Sequence, residues 1–218
     1  GSESADDFER EAAKWVLENG GTVVLKNTVG RLEKVENLDD LPNRPFTMTH
    51  IGLKNAKDED LKRLEGLSLT TLSLSGEQLT DAGLAYLVRV GPLNSLFLKG
   101  CPRVSLSNVF AFRDVKTLKL NNTPAISDEA LESLNELLSI QYLDIGQNKQ
   151  LTDQALVHVA ELKTLDYLVL ESTAITDAGL VHLQSLTDLE TLILWDTAVS
   201  DTGLQHLLPL GKLKELIL

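Results

Sequence analysis

The feature of this sequence that most limits its possible folds is a short phrase, Leu-x-Leu, in which isoleucine sometimes replaces one leucine. Eight copies begin at Ile51, Leu72, Leu96, Leu118, Leu143, Leu168, Leu192 and Leu216, at intervals of 21, 24, 22, 25, 25, 24 and 24 residues. Units of this length bury their apolar faces only against one another. We therefore predict a stacked array of about eight strand units, with a period of about 24 residues, over residues 46–218.

Each unit has the same internal order. The alternation in Leu-x-Leu is typical of a short strand whose leucines point to one side. After a turn comes a Ser or Thr that usually precedes an Asp, as in Thr80-Asp81, Ser127-Asp128, Thr152-Asp153, Thr176-Asp177 and Ser200-Asp201. Ser and Thr are favourable helix N-caps, and Asp suits the positive end of the helix dipole. Leucines at helical spacing follow, so one unit is predicted to be strand, turn, helix and loop.

Stacking such units predicts the overall shape. Parallel strands lie about 4.8 Å apart, whereas packed helices lie about 8–10 Å apart. The fold class is therefore α/β, a right-handed β/α solenoid arc with a parallel sheet on its concave side and helices on its convex side. Repeated slots of one size explain why the chain has 45 leucines among 218 residues and only 5% aromatic residues.

The sequence of the units resembles that of the leucine-rich repeat family, in its ribonuclease-inhibitor-like and cysteine-containing form. It is similar to repeats of bacterial, often planctomycete, leucine-rich repeat proteins. Residues 165–189, LDYLVLESTAITDAGLVHLQSLTDL, match the family phrase almost throughout, and the resemblance covers about residues 46–218. It implies the solenoid fold and a role in binding proteins, without implying any particular ligand.

The resemblance also assigns a place to the single cysteine. Three residues after the second strand leucine, the family carries Asn, Cys or Thr. In this chain the position holds Ala56, Glu77, Cys101, Thr123, Asn148, Thr173 and Thr197. Such side chains hydrogen-bond the backbone where the chain leaves the strand. We expect Cys101 to be a buried structural thiol rather than a nucleophile, because no neighbouring histidine supports its activation.

Two units depart from the pattern. The first is two residues shorter than the others before Asp58, and the third reads Val104-Ser105-Leu106, with no Asp.

Residues 1–45 do not fit the repeat, and we predict that they form an N-terminal cap. Ala5 to Glu18 has an apolar face that includes Phe8, Ala12, Trp15 and Val16, which is typical of an amphipathic helix. Two strands, Thr22 to Leu25 and Arg31 to Val35, form a predicted hairpin. The end unit of a solenoid needs an atypical neighbour, whereas an independent domain of this size would bury little core. Gly1-Ser2 resembles a cloning remnant and no signal sequence is recognisable, so no compartment is predicted.

The C-terminal end leaves three alternatives open. The chain stops at Leu218, within a predicted strand that would form an apolar sheet edge. The strand ends the array with leucines beneath it, or the natural chain continues, or a second chain covers the end.

Composition excludes several classes of protein. The net charge is −12, with 32 acidic and 20 basic residues and no basic cluster. Such a chain is repelled by nucleic acid and by anionic membrane surfaces. No apolar run is long enough for a membrane span. One cysteine supports neither a disulfide scaffold nor a thiolate zinc site.

No catalytic residues, metal site or cofactor are predicted. His158, His182 and His206 are each one repeat apart at the same helix position. Helices about 8–10 Å apart hold such rings too far from one another to share an ion with bonds of about 2 Å. The repeated aspartates are helix-start residues, and no phosphate loop or hydrolase motif is present. We therefore expect a protein that is not an enzyme.

The concave face carries the functional prediction. Side chains between and beside the strand leucines should point outward there, and they are mostly polar in the first half of the array. In the second half tyrosine, tryptophan and β-branched residues come together. The predicted partner-binding residues are Phe97, Lys119, Tyr142, Asp144, Tyr167, Val169, Glu171, Ile193, Trp195 and Ile217. Exposed apolar patches and Tyr or Trp anchors are typical of binding sites, although bulky residues also simply suit strands.

We therefore predict a non-catalytic protein-interaction module that binds an unidentified protein through the concave face, chiefly its C-terminal half. The alternative is a structural scaffold domain that assembles with itself through the C-terminal end. The expected oligomeric state is a monomer or a weak homodimer.

Overall fold

The computed structural model of the protein describes residues 5–218, without the side chains of Ala5, Asp6 and Phe110. The prediction about Gly1-Ser2 lies outside these residues. The chain begins with helix α1 (Ala5–Glu18), strand β1 (Thr22–Asn27), strand β2 (Leu32–Val35) and a 3₁₀ turn (Leu38–Asp40). The predicted helix and hairpin are thus confirmed.

The repeated phrases form the rest of the sheet. Its strands are β3 (Phe46–Leu53), β4 (Thr71–Leu74), β5 (Ser95–Leu98), β6 (Thr117–Lys119), β7 (Tyr142–Asp144), β8 (Tyr167–Val169), β9 (Thr191–Ile193) and β10 (Glu215–Ile217). The ten strands form one sheet in the order β10-β9-β8-β7-β6-β5-β4-β3-β1-β2. Strands β3 to β10 are parallel, and β1 is antiparallel to both β2 and β3. The α/β solenoid is confirmed.

Strand register places equivalent leucines side by side. Leu72, Leu96 and Leu118 are partners on β4, β5 and β6, for example. These leucines are fully buried, and the core they form continues through the whole array. At β10, the last strand of the described sheet, the equivalent Leu216 is exposed.

The convex side is built from short helices. Its α-helices are α2 (Asp58–Lys62), α3 (Asp81–Leu84), α4 (Asp153–Val159), α5 (Asp177–Leu180) and α6 (Asp201–Leu204). Further turns are 3₁₀ helices: Ala85–Arg89, Val109–Phe112, Glu129–Glu136, Val181–Ser185 and Gln205–Leu207. The helical segments lie where they were predicted. Much of the helix is of the tighter 3₁₀ type, which covers a longer distance per residue than an α-helix.

Helix α1 packs against the start of the array. Ala13 and Val16 are buried, and Trp15 packs partly on the core while the Arg63 guanidinium lies 5.4 Å from the centre of its ring. Phe8, predicted on the same apolar face, is only partly covered. Within residues 5–218 no helix is long and apolar enough to cross a membrane.

Hydrogen bonds between the helix starts connect successive units. The predicted N-caps are confirmed at Thr80, Thr152, Thr176 and Ser200, whose hydroxyls each accept a bond from the backbone N–H two residues later. In addition, the N–H and hydroxyl of Thr176 donate to the two carboxylate oxygens of Asp153, one unit earlier, at 2.7 and 2.6 Å. The equivalent pairs are Asp58 with Thr80, Asp81 with Ser105, Asp128 with Thr152, and Asp177 with Ser200. We call this series the aspartate ladder.

The ladder explains the repeated glycine of the helices. A Cβ atom added at Gly179 would lie 2.4 Å from Oδ1 of Asp153, and Gly83 and Gly203 have the same relation to Asp58 and Asp177. Neighbouring helices therefore approach closely at these glycines, and the nearest atom in each case is a carboxylate oxygen.

The ladder has one gap, at the irregular third unit. Leu106 occupies the place of the aspartate there, in a left-handed backbone conformation with a φ of 68°. Ser127, predicted as the next N-cap, has no carboxylate one unit earlier. The N-cap of the helix Glu129–Glu136 is Asp128 instead, and the Ser127 hydroxyl accepts a bond from the Ala130 N–H at 3.2 Å. The missing Asp in the sequence thus corresponds to a missing connection between the third and fourth units.

Candidate partner-binding surface

An aromatic stack lies at the centre of the concave face. Tyr142 on β7 and Tyr167 on β8 are register partners. Their ring centres lie 4.4 Å apart with an angle of 14° between the planes. The strand spacing of about 4.8 Å brings the two rings face to face, so neither ring moves without disturbing the other.

A lysine continues the stack towards the N-terminal half. The Lys119 ammonium lies 4.8 Å from the Tyr142 ring centre and 5.4 Å from that of Phe97. These distances are typical of cation–π contacts. Four of the predicted site residues therefore form one continuous row: Phe97, Lys119, Tyr142 and Tyr167.

Apolar side chains extend the surface towards the C-terminal end. Trp195 is 55% exposed and Ile217 is 39% exposed, while Ile193 is half-buried between them. Together with Tyr142 and Tyr167 they make up what we call the aromatic surface. It occupies a face on which solvated side chains are normally polar.

Two predicted site residues are not exposed as expected. Val169 is 4% exposed and Asp144 is 7% exposed. Strand alternation places both on the concave face, opposite the buried Leu143 and Leu168. The two residues are register partners of each other, and their outer partners are Lys119 and Ile193. The prediction that Val169 and Asp144 belong to an open surface is therefore wrong; they lie beneath it.

Carboxylates surround the tyrosine pair. Oδ1 of Asp144 accepts bonds from the Asn121 side-chain amide at 2.7 Å and from the Gly146 N–H at 3.0 Å. Glu171 accepts a bond from Gln147 at 3.0 Å, and the Thr191 hydroxyl lies 3.5 Å from a Glu215 oxygen. Within the described part of the chain, none of these three carboxylates is within ion-pair distance of a basic side chain.

The electrostatic effect of these carboxylates appears in the phenol groups. The pKa of Tyr142 is raised, first by burial and then by the charges of Asp144 and Glu171. The pKa of Tyr167 is also raised, first by burial and then by Tyr142 and Glu215. The pKa of Asp166, on the loop before β8, is raised by burial and by Glu190. Both tyrosines therefore lie near negatively charged side chains.

The N-terminal half of the same face differs in character. Its side chains include Ser73, Ser75 and two lysines, Lys54 and Lys99. His50 lies at the start of this half, and burial lowers the pKa of its imidazole. The concave face is thus basic and polar at one end, and acidic and aromatic at the other.

The remaining reactive side chains are placed as structural groups. Cys101 is fully buried, with Sγ 3.7 Å from the Lys99 carbonyl and 3.9 Å from the Leu74 carbonyl. Burial raises the pKa of its thiol, which disfavours the nucleophilic thiolate. His158, His182 and His206 lie on the convex helices, and the described residues contain no group of His, Cys, Asp and Glu that could hold a metal ion.

A recess on the convex side was not predicted. It has a volume of about 850 Å³, and it is lined by Ser105, Leu106, Arg113, Glu129, Glu132 and Leu138, among others. It opens where the aspartate ladder is interrupted. The only indication of this recess in the sequence is the absence of Asp from the third unit. The repeat pattern shows that the residue is missing, but it does not predict a recess there.

Comparison with known proteins supports the architecture. No family model matches the chain. Among solved structures, internalin F of Listeria monocytogenes superposes with a TM-score of 0.61 at 22% sequence identity, over 77% of this chain and 46% of that one. Internalin C2 of the same organism gives a TM-score of 0.58 at 21% identity, over 97% of this chain and 92% of the other. The chain thus spans less than half of internalin F, and at these identities the likeness concerns the fold. With its repeated phrase, its parallel sheet and these neighbours, the chain has the fold of a leucine-rich repeat α/β solenoid.

Proposed function

We propose that the chain is a non-catalytic protein-interaction module whose partner binds the C-terminal half of the concave face. The observation that carries the proposal is the stacked pair of Tyr142 and Tyr167 beside the exposed Trp195. Tyrosine and tryptophan are enriched among the residues that contribute most to binding. Stacked rings are already ordered, so a partner loses less conformational freedom when it binds them.

The other predicted site residues lie around the tyrosine pair. Phe97 and Lys119 extend the row of rings on one side, and Glu171 and Ile217 border it on the other. Val169 and Asp144 are buried on the same strands that carry the two tyrosines. An open face of this kind offers no enclosed pocket for a small substrate, which supports the proposal that the module is not an enzyme.

The experiment is a pair of substitutions on the aromatic surface. Once a partner has been isolated with the full chain, Tyr167→Ala and Trp195→Ala should each weaken binding by about thirtyfold, as expected for a central anchor. Thermal unfolding should show that both variants remain folded. Leu138→Ala is the matched control, because Leu138 is a 71% exposed apolar residue on the convex side.

Unchanged binding in both aromatic variants would place the partner elsewhere. A loss of binding in Leu138→Ala alone would instead favour the convex recess.

A second candidate function is self-assembly through the C-terminal end. Strand β10 is an edge of the sheet, and Leu216, Ile217 and Leu218 at this edge are all exposed. Unpaired edges of apolar strands readily pair with another chain. Light scattering at micromolar concentrations tests this proposal. A dimer that Leu218→Lys converts to a monomer would support self-assembly, and a wild-type monomer would argue against it.

We also propose that residues 1–45 act as the N-terminal cap of the array at 46–218. The supporting observation is that β1 is paired directly with β3. Removing residues 1–45 should then expose the β3 edge and abolish cooperative unfolding of the first units.

We further propose that the repeats are of the ribonuclease-inhibitor-like, cysteine-containing kind, close to planctomycete repeats. The supporting observation is that Cys101 holds the position at which this kind of repeat carries Asn, Cys or Thr.

A further inference from the structure

We infer that the aromatic surface recognises a basic segment of the protein partner, in which one arginine side chain lies against the Tyr167 ring near Glu215 and a second lies against the Trp195 ring near Glu171. This inference rests on the proposed function, and it specifies the chemistry of the partner. Its evidence is the combination of exposed rings with acidic side chains that lack a basic neighbour.

The protein already contains one example of the same chemistry. Lys119 places its ammonium against the rings of Phe97 and Tyr142 at 5.4 and 4.8 Å. On the other side of the tyrosine pair, the described residues provide no equivalent cation. The nearby Lys214 and Lys212 are engaged elsewhere, with Glu190 at 2.7 Å and Asp188 at 2.5 Å.

The rings and the carboxylates are neighbours in the repeat. Glu171 and Trp195 hold the same position, directly after the second strand leucine of successive units, and the Ser172 N–H donates to the Trp195 carbonyl at 2.9 Å. Glu215 lies in the same column as Tyr167, two strands further along, and its charge raises the pKa of the Tyr167 phenol after burial and Tyr142. Each of the two rings thus has one glutamate in its own column of the sheet, Glu215 in the column of Tyr167 and Glu171 in that of Trp195.

Arginine fits this arrangement better than other side chains. Its guanidinium is flat, stacks on aromatic rings and pairs with carboxylates through two hydrogen bonds. Its weak hydration lowers the cost of moving it from water to a partly apolar surface. The acidic C-terminal half, on a chain of net charge −12, would also attract a basic segment from a distance and orient it, with Lys54 and Lys99 at the opposite end.

The experiment uses a displayed library of random peptides, selected on the immobilised full chain. Enriched peptides are synthesised, and their affinity is measured by calorimetry. We expect arginine in the enriched peptides, and about tenfold weaker binding when that arginine is replaced by citrulline, its uncharged analogue. The double variant Glu171→Gln, Glu215→Gln should weaken binding to a similar extent, about tenfold.

A matched control separates a local site from general attraction. Glu132→Gln with Glu136→Gln changes the net charge by the same amount on the convex side, where both residues are exposed. This control should leave the affinity within about twofold of the wild type, since exposed charges far from the site are screened.

The failures of the two proposals are distinguishable. Enriched peptides that depend on Tyr167 and Trp195, but that lack basic residues or ignore the two glutamates, would overturn the arginine inference and leave the concave site standing. Arginine-rich peptides that bind Tyr167→Ala, Trp195→Ala and the control variant equally would overturn both, because only net charge would then attract them. Failure to enrich any peptide would also overturn the inference.

Discussion

Replacing Gly179 by alanine tests how far the aspartate ladder determines the sequence of the repeat. Gly179 is buried near the start of α5, and a Cβ atom there would lie 2.4 Å from Oδ1 and 3.0 Å from Cγ of Asp153. The carboxylate cannot stay in place, because ordinary contacts begin near 3.4 Å. If it moves, it loses the two bonds from Thr176 at 2.7 and 2.6 Å.

The expected magnitude follows from these two opposing effects. Hydrogen bonds to a charged group contribute about 1.5–3 kcal/mol each when buried, and half-exposure of this pair reduces the total to about 2–3 kcal/mol. The better helix propensity of alanine returns about 1 kcal/mol. Gly179→Ala should therefore lower the free energy of unfolding by about 1–2 kcal/mol, which corresponds to a decrease of about 2–8 °C in Tm.

The decisive assay is a double-mutant cycle. The free energy of unfolding of each variant is measured by urea unfolding, which circular dichroism monitors. In an Asp153→Ala background the carboxylate is gone, so Gly179→Ala should become stabilising by about 0.5–1 kcal/mol. Gly211→Ala is the control, because a Cβ atom there meets nothing within 4 Å, and it should change stability by less than about 0.5 kcal/mol. If Gly179→Ala is equally destabilising with and without Asp153, the carboxylate is not the cause, and the reasoning fails.

Two further predictions concern ionisable side chains. Burial raises the pKa of Cys101, so its thiol should resist alkylation in the native state and react on unfolding. Because the thiol has a higher pKa in the folded chain than in the unfolded chain, the protonated thiol stabilises the fold. This stabilisation is complete at pH values below the pKa of the unfolded thiol, and it is lost as the pH rises through the pKa of the folded thiol. Cys101→Thr should remove that alkaline loss, and an unchanged pH dependence of unfolding would contradict the assignment. The pKa values of Tyr142 and Tyr167 are raised, first by burial and then by neighbouring groups, so an ultraviolet titration should show late-ionising phenols. These should disappear in the Tyr142→Phe, Tyr167→Phe variant, whereas phenols that all ionise in the ordinary range would refute the role of burial.

The strands and their order could be predicted because each Leu-x-Leu phrase marks one unit. The alternation determines which side chains enter the core, and equal spacing determines parallel register. The same columns identified Tyr142, Tyr167 and Trp195 on the concave face. The alternation of side chains along a strand is enough to predict these positions, and no contact between residues has to be known.

Other features depend on distances between units, which a single repeat does not contain. The burial of Val169 and Asp144 depends on the side chains that the neighbouring strands place beside them. Left-handed residues recur two positions after the second strand leucine and were not foreseen, because their residue types vary: Asn55, Asn122, Gln147, Ser172 and Asp196. The aspartate ladder joins Ser or Thr of one unit to Asp of the previous one. The sequence of a single unit predicts only that these residues cap a helix, because the partner lies in another unit.

The gap at Leu106 has a mechanical consequence. Cap-to-carboxylate bonds join the units before it to one another, and likewise those after it, but none spans the gap. The outer edge of the arc should therefore bend and open more easily there than elsewhere, and amide hydrogen exchange at the Val109–Phe112 turn should be faster than at α4 or α5. Tyr142, Tyr167, Ile193, Trp195 and Ile217 all lie on one side of this compliant point. Bending at this point would therefore leave the arrangement of the five side chains unchanged.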